Sequence, residues 1–236
     1  MKWGIRTCLQ RVIDYFFVRN FPALRRLLFQ DTTQYGEFLF LQSFFQDTRF
    51  GFVVEVGAND GFFCSNSFPF IQRNWRALLI EPNPRLFKTL QFRYAANPRV
   101  VLSPFACGAE KGHARLFLGR DSESGYSTLC QEDSWWFAQT RSSESIQVPL
   151  IPLKELLDQA KFPSDFHFLS VDTEGYDFHV LLGLDLKKYR PRLIMTEDEK
   201  PPHTFASQKA ALLNDHGYFL VKKICNNFIF TRKDIS

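Results

Sequence analysis

The sequence FVVEVGANDGFF, residues 52–63, decides the fold that we expect for this chain. Its first five residues are apolar except for Glu55, which is the pattern of a buried strand that carries one carboxylate. Gly57 and Gly61 bracket the loop that follows, and glycines allow the backbone to approach a ligand closely. The question is therefore whether this loop holds a nucleotide, a phosphate, a metal or nothing.

Strand-like and helix-like segments alternate from residue 52 onward. Strand patterns occupy residues 52–57, 77–81, 99–104, 167–171 and 192–196, and helical patterns fall near residues 65–74, 84–96, 152–160 and 176–188. This alternation predicts an α/β fold with a parallel sheet covered on both faces. Residues 218–224 and 228–232 predict a C-terminal antiparallel hairpin, and residues 106–119 and 145–150 predict short antiparallel additions.

The composition of the 236 residues favours a globular protein in a reducing compartment. Apolar residues make up 45% of the chain, and its 27 phenylalanines predict a core built on aromatic packing. The five cysteines are scattered and never form a C-x-x-C pair, which argues against a disulfide framework and a zinc site. We predict no metal site, although acids at the sheet edge could hold Mg²⁺ weakly. Without a secretory signal or an apolar span in the sequence, we expect a cytoplasmic protein.

The first 33 residues differ from the rest of the chain and predict a basic helical arm. Apolar residues recur there at helical spacing, opposite Arg6, Gln10, Arg11 and Asp14. The arm either packs on its own domain or on a second subunit of a homo-oligomer, or it rests on a membrane surface through residues 1–30. Residues 34–236 form the α/β domain.

The glycine spacing of the first loop narrows the choice of ligand. A nicotinamide-type fingerprint reads G-x-G-x-x-G, whereas Gly57, Asn59 and Gly61 give G-x-N-x-G. The lysine of a phosphate-binding Walker loop is also absent. The spacing fits loops that wrap S-adenosylmethionine, which has an adenosine and an amino-acid tail but no phosphate.

Two acids near strand ends are candidates for binding that molecule. Glu81 ends the second predicted strand, 24 residues after Gly57, where a carboxylate can accept two hydrogen bonds from a ribose diol. Its alternative interpretation is a surface acid before a Pro-x-Pro turn. Glu55 could attract the ammonium of the amino-acid tail, or it could pair with an internal Arg or Lys.

Four segments together resemble the FkbM-type family of S-adenosylmethionine-dependent methyltransferases. They read FVVEVGANDGFFCSNSFPF, NWRALLIEPNP, ACGAEKG and LSVDTEGYDFHVLLGL, and the resemblance covers roughly residues 34–197. The family's usual opening motif, S-Q-x-G-x-D, appears here as Thr33-Gln34-Tyr35-Gly36-Glu37-Phe38. Phe38 therefore stands where the family has an acid, which puts a polar role at that position in doubt.

The resemblance implies a Rossmann-like methyltransferase sheet with S-adenosylmethionine across the ends of the first two strands. It also implies a role for each matching residue. The cofactor loop comprises Glu55, Gly57, Asn59 and Gly61; Glu81 binds the ribose; Ala106 and Cys107 hold the adenine; and Asn66 lines the methionine end. For Asn66, a helix cap is the alternative by residue preference.

The candidate catalytic residues follow the fourth strand in FLSVDTEGYDFH, residues 168–179. Methyl transfer to an alcohol requires removal of its proton, which a carboxylate or histidine within hydrogen-bond reach can accept. We predict Asp172 or Glu174 as this base, with His179 as the third candidate. Alternatively, Asp172 only orients the cofactor tail, and Glu174 with Asp177 caps the helix that starts near Tyr176.

In terms of the resemblance, the expected acceptor is a hydroxyl of a sugar, a lipid-linked saccharide or a polyketide-like small molecule. A net charge of +4 is too small to indicate a nucleic-acid partner. The Asn/Asp-Pro-Pro-aromatic motif of amino-directed DNA methyltransferases is absent after the fourth strand. A nucleic-acid or protein methyltransferase and a non-catalytic S-adenosylmethionine-binding module are the alternatives. The loop that ends in Trp135, Trp136 and Phe137 could cover the acceptor, or its tryptophans could fill the core.

Overall fold

The computed structural model describes residues 31–119, 127–130, 141–197 and 206–235. The predicted helical arm lies outside these ranges except for residues 31–33. The aromatic segment with Trp135, Trp136 and Phe137 also lies outside them. In the described part of the chain, no helix is both long and apolar enough to span a bilayer.

The main element of the fold is a seven-stranded sheet with the strand order β3-β2-β1-β7-β8-β10-β9. Its strands are β1 (Phe52–Val56), β2 (Arg76–Ile80), β3 (Val100–Ser103), β7 (Phe168–Val171), β8 (Leu193–Glu197), β9 (Tyr218–Ile224) and β10 (Asn227–Arg232). The pairs from β3 to β8 are parallel, and β10 is antiparallel to both of its neighbours. The predicted α/β class, Rossmann-like and mostly parallel with a C-terminal hairpin, is confirmed.

A second sheet has the order β4-β6-β5, with β4 at Ala106–Gly108, β5 at Gly112–Gly119 and β6 at Arg141–Pro152. The antiparallel pair β5–β6 agrees with the predicted additions. The prediction was wrong for β4, which pairs with β6 in parallel. The reason is geometric: β4 and β5 lie on opposite sides of β6 and run in opposite directions, so β6 can be antiparallel to only one of them.

The helices are α1 (Glu37–Phe44), α2 (Phe68–Ile71), α3 (Pro84–Tyr94), α4 (Leu153–Gln159), α5 (Asp177–Leu182) and α6 (Ala206–Asp215). Two of them are shorter than predicted. The segment near residues 65–74 is helical only from Phe68, because residues 65–67 bond to Glu55 instead. Helix α5 ends at Leu182, and its C-cap is Gly183, where a Cβ would stand 2.0 Å from the carbonyl oxygen of Gly108.

Apolar side chains cover both faces of the main sheet, because successive residues of a strand point to opposite sides. On one face, Val54 and Val56 pack with α4 and α5. On the other face, Val53 packs in an aromatic cluster in which the rings of Phe70 and Trp75 are 4.5 Å apart. The carboxyl ends of β1, β2, β7 and β8 consequently meet at one edge of a rigid sheet, where a binding cleft is expected.

Candidate active site

A cleft opens at the carboxyl ends of β1, β2 and β7. All but one of the residues predicted to bind the cofactor line it, and so do two of the three predicted catalytic residues. These lining residues are Glu55, Gly57, Asn59, Asn66, Glu81, Ala106, Cys107, Asp172 and Glu174. The structure thus brings together residues that are up to 119 positions apart in the sequence.

The backbone of the first loop is held between two strand ends. The N–H groups of Gly57 and Ala58 both donate to the carbonyl oxygen of Ile80 at 3.0 Å. Gly57 has a φ of +84°, and a Cβ there would lie 1.8 Å from the carbonyl oxygen of Asp172. Position 57 therefore requires glycine, both for its conformation and for the close passage of β7.

Gly61 lies at the far end of this loop, packed against α3 rather than in the cleft lining. A Cβ there would lie 2.5 Å from Leu90 Cδ2 and 2.7 Å from Tyr94 Cε2. The Tyr94 hydroxyl donates to the Gly61 carbonyl oxygen at 2.7 Å. The glycine at position 61 therefore positions the loop on α3.

Glu81 is buried at the floor of the cleft, so the interpretation as a surface acid is wrong. Its side chain is 5% exposed, and its two carboxylate oxygens accept from the N–H groups of Asn59 and Asn83, each at 2.9 Å. Burial raises the pKa of Glu81 to about 7, although the two hydrogen bonds act in the opposite direction. A carboxylate has about four acceptor positions, so each oxygen keeps one for a ligand.

Glu55 is also buried, and its hydrogen-bond partners are neutral groups. It accepts from the hydroxyls of Ser65 at 2.8 Å and Ser67 at 2.5 Å, and from the N–H of Asn66 at 2.6 Å. These bonds correct the suggested pairing with Arg or Lys. Burial raises the pKa of Glu55, while its hydrogen bonds lower it. The contacts of Ser65 and Ser67 with Glu55 were not predicted, because the sequence of the segment after the loop does not show which strand that segment contacts.

Asn66 is 5% exposed and is fixed in the cleft wall by its own amide groups. Its N–H binds Glu55, and its Nδ2 donates to the Ser170 hydroxyl at 3.2 Å. Its Oδ1 is buried without a hydrogen-bond partner among the residues that the structure describes. The N-cap of α2 is Ser67, so the alternative role of Asn66 as a helix cap is wrong. A buried acceptor without a donor costs free energy, which indicates a ligand donor at this point.

Three carboxylates lie close together at the ends of β7 and β8. Two of them, Asp172 and Glu174, line the cleft, and the third, Glu197, lies outside the cleft lining and was not predicted. One oxygen each of Asp172, Glu174 and Glu197 lies within 4.8 Å of the other two. Glu197 is the last residue of β8, so the rule that ligands bind at the carboxyl ends of parallel strands could have identified it. Acidic clusters are common at clefts without a metal, and this grouping alone identifies no metal site.

The pKa values of this cluster are displaced by burial and by mutual repulsion. Burial raises the pKa of Asp172, and the neighbouring Asp177 raises it further. Burial likewise raises the pKa of Glu197, with further contributions from the charges of Asp172 and Glu174. A hydrogen bond between the two carboxyl groups favours the charged form of Asp172 and the neutral form of Glu197.

Asp177 and His179 contact other groups of the protein and do not line the cleft. Asp177 is completely buried, and it accepts from the N–H and hydroxyl of Thr173 and from the hydroxyl of Thr196 and the N–H of Glu197. It thereby connects the ends of β7 and β8, a role that goes beyond helix capping. His179, a predicted base, stacks on Tyr176 at 4.3 Å and stands behind that ring rather than in the cleft lining.

The second sheet supplies another wall of the cleft. Leu116 of β5 lines it together with Ser127 and Leu129, and Thr128 between them donates to the Glu174 carbonyl oxygen at 2.6 Å. Burial raises the pKa of Cys107, so its thiol is neutral and forms an apolar surface. This wall is suited to the flat, largely apolar face of a base.

The opening motif of the domain contributes Gln34 to the cleft lining. Glu37 is fully buried, and it accepts from Asn227 Nδ2 at 2.8 Å and from the Tyr35 N–H at 2.9 Å. Phe38 is 1% exposed and packs edge-on against Phe70. Phe38, which stands where the family pattern has an acid, is thus a core residue.

Comparison with known proteins shows a family match over most of the chain. A family model described as "Methyltransferase FkbM domain" matches residues 55–220, well over half of the sequence. No curated protein matches the sequence significantly.

Solved structures with a similar fold include several methyltransferases, among them the following three. An O-methyltransferase from Bacillus cereus in complex with SAH is 14% identical, with a TM-score of 0.45, and the alignment covers 98% of this chain and 92% of that one. A TehB-like SAM-dependent methyltransferase from Corynebacterium glutamicum is 10% identical, with a TM-score of 0.44 and 97% of each chain covered. Precorrin-6y C5,15-methyltransferase from Geobacter metallireducens is 13% identical, with a TM-score of 0.45, and 86% of this chain and 91% of that one are covered. At TM-scores below 0.5, these likenesses say nothing about substrate or mechanism.

Proposed function

Because the chain belongs to the methyltransferase FkbM domain family, we propose that its cleft binds S-adenosylmethionine and that the protein methylates a hydroxyl oxygen of an acceptor. The observation that carries this proposal is Glu81. It is a buried carboxylate in the cleft, held by two backbone N–H groups and left with one acceptor position on each oxygen. Two adjacent hydroxyls, as on a ribose, match this arrangement.

The other cleft residues fit the remaining parts of the same ligand. The apolar wall of Ala106, Cys107 and Leu116 suits an adenine ring. The unpartnered Oδ1 of Asn66 suits the ammonium of the amino-acid tail, and Glu55 close by supplies negative charge. Gly57 leaves no side chain between the loop backbone and the cleft.

S-adenosylmethionine supplies an electrophilic methyl group on a sulfonium. The protein's part is to hold the acceptor oxygen in line with that methyl group and to take its proton. Asp172 lines the cleft at the end of β7, where its carboxylate can receive a hydrogen bond from an acceptor hydroxyl. Glu174 lies beside it, and the bond from Thr128 to its carbonyl fixes the backbone there. Much of the rate can come from positioning of this kind.

The acceptor class that we propose is an uncharged hydroxyl compound such as a sugar, a glycolipid or a polyketide-like molecule. Carboxylates at the mouth of the cleft support it, because they accept hydrogen bonds from hydroxyls and repel phosphates. The same charges disfavour nucleic acid. A module that binds the cofactor without catalysis is the second candidate, and only a turnover assay separates it from an enzyme.

The test has two stages. Calorimetry with S-adenosylmethionine and S-adenosylhomocysteine should show binding of both, and radiolabelled methyl transfer should then be assayed on a panel of sugars, lipids, RNA and protein. We expect label in a sugar or lipid fraction, and we expect Asp172→Asn to lose turnover while it keeps binding S-adenosylhomocysteine. Binding without transfer to any acceptor would favour the module, and an unchanged rate in Asp172→Asn would exclude that residue as the base.

A further inference from the structure

Glu197 and Asp172 stand side by side because their strands are neighbours in the sheet. Val171 of β7 pairs with Thr196 of β8 in parallel register, so the next residue of each strand is one of the two acids. One oxygen of the Asp172 carboxyl group lies within 4.8 Å of an oxygen of the Glu197 carboxyl group. Asp172 lines the cleft, and Glu197 stands next to it at the end of β8, outside the cleft lining.

The backbone of Glu197 is fixed from two directions. Its N–H donates to the Asp177 carboxylate at 2.9 Å, and the buried Lys209 ammonium donates to its carbonyl oxygen. The Thr196 hydroxyl donates to the same Asp177 oxygen at 2.7 Å. The backbone of Glu197 is therefore held beside the end of β7.

Besides the ammonium of Lys209, which donates to the Glu197 carbonyl oxygen, the groups that face this pair from the surrounding elements are acids and potential anions. They are Glu174 and Asp177 after β7, Glu55 of β1, Glu37 of α1, and Tyr35, whose pKa burial raises to about 12 with a contribution from the charge of Glu197. Two adjacent, half-buried carboxyl groups among other acids resist simultaneous ionisation, since their charges repel each other. One proton between them is the stable state.

This arrangement lies in a ligand-binding cleft, and Asn66 is the independent evidence for that. Asn66 lines the same cleft as Asp172, and its buried Oδ1 has no hydrogen-bond partner among the described residues. The acids are therefore part of a cleft that has an acceptor reserved for a bound molecule.

We propose that Glu197 is a positioning residue that acts through Asp172, so that the two share one proton and Asp172 takes the proton of the acceptor hydroxyl. This inference rests on the proposed function. In the reaction the O–H bond of the acceptor breaks and its proton goes to Asp172, an O–C bond forms to the methyl group, and the C–S bond breaks with its electron pair left on sulfur. The pair begins with one negative charge and ends neutral, which balances the positive charge lost from the sulfonium.

The test compares two ligands that differ by a methyl group and a positive charge. The affinities of S-adenosylmethionine and S-adenosylhomocysteine are measured by calorimetry between about pH 5.5 and 8.5, with EDTA present to exclude metal ions. Both ligands carry the same amino-acid tail, so its titration largely cancels in the ratio of affinities. In the wild-type protein the preference for the sulfonium should rise with pH, by up to about tenfold per unit, as the pair loses the first of its two protons and becomes negatively charged.

In Glu197→Gln, the carboxyl donor that favours the charged form of Asp172 is gone, so Asp172 should ionise at higher pH and the midpoint of this rise should increase by about one pH unit. Glu110→Gln, an exchange of an exposed glutamate in the turn between β4 and β5, should leave the wild-type curve unchanged. The same midpoint in wild type and Glu197→Gln, or a ratio that never depends on pH, would overturn the inference while the proposed function stands. Failure of either ligand to bind would overturn both. If Glu197→Gln does not fold, Asp172→Asn leaves Glu197 alone and should shift the midpoint in the same direction, and an unshifted midpoint refutes the shared proton.

Discussion

Replacement of Glu81 by glutamine should weaken nucleoside binding strongly while it leaves the fold intact. In the wild-type protein, each carboxylate oxygen holds one backbone N–H at 2.9 Å and keeps one acceptor position for a ribose hydroxyl. A hydrogen bond to a charged group contributes about 1.5–3 kcal/mol, against about 0.5–1.5 kcal/mol for a neutral one. Two such bonds therefore lose about 2 kcal/mol in Glu81→Gln, which is an affinity about 30-fold lower.

The fold should survive this substitution because two effects on stability oppose each other. The amide nitrogen of glutamine cannot accept from the N–H of Asn59 or Asn83, which costs one hydrogen bond. Against this, the substitution removes a desolvated charge from a group whose pKa burial raises to about 7. Thermal denaturation without ligand should confirm that the variant is folded before binding is measured.

The assay is calorimetric titration with S-adenosylhomocysteine at pH 8, where Glu81 of the wild-type protein is ionised. Glu110→Gln is the matched control, since it makes the same chemical change on the exposed surface outside the cleft. Wild-type affinity in a folded Glu81→Gln would refute the assignment of this carboxylate to the ribose, and with it the observation that carries the proposed function.

The pKa of Glu81 adds a pH dependence of known sign. Ribose hydroxyls donate to the ionised carboxylate, so binding lowers the pKa of Glu81 below its value of about 7 in the free protein. Affinity for S-adenosylhomocysteine should thus be full above pH 7 and fall as the pH drops below 7, by at most about tenfold per unit. In Glu81→Gln this decline should disappear, and its persistence there would assign it to another group.

Two further substitutions test how the cleft is held. Gly57→Ala would place a Cβ 1.8 Å from the Asp172 carbonyl oxygen, in a residue with a φ of +84°. Urea denaturation should therefore show a free energy of unfolding that is lower by about 3 kcal/mol or more. The control is Gly112→Ala, where a Cβ meets nothing within 4 Å and the free energy of unfolding should stay within about 0.5 kcal/mol of wild type. Asp177→Asn should cost about 2–4 kcal/mol, because the amide nitrogen cannot accept the two hydrogen bonds that one of the Asp177 oxygens receives, and a loss below about 0.5 kcal/mol would show that the connection between β7 and β8 does not depend on its charge.

The sequence was sufficient to predict the parts of the molecule that depend on local pattern. Runs of apolar residues placed the parallel strands to within one or two residues, and the position of Glu81 at a strand end predicted its place in the cleft. Glu55 shows where this approach fails. Its partners Ser65 and Ser67 lie in a segment predicted as helix, because helical periodicity does not reveal that a buried carboxylate ten residues earlier binds those hydroxyls.

Contacts between strands that are distant in sequence were the other part that could not be predicted. Nothing in the sequence states that β8 lies beside β7, so the approach of Glu197 to Asp172 appears only when the order of the strands is known. The same reason applies to β4, whose direction relative to β6 depends on which side of β6 it occupies. The sequence identifies which side chains lie at strand ends, but their neighbours are known only once the order of the strands in the sheet is known.

The four acids near the carboxyl ends of the central strands differ in the donors that their surroundings provide, and this difference separates their roles. Glu55 receives three hydrogen bonds from the segment after the loop, which fixes that segment in place. Glu81 receives two, and its remaining positions suit a pair of ligand hydroxyls. Asp172 has another acid, Glu197, as its neighbour, and a carboxyl group beside a second one exchanges protons rather than fixing a structure. If the proposed function holds, the end of β2 therefore binds adenosine, and the ends of β7 and β8 transfer a proton.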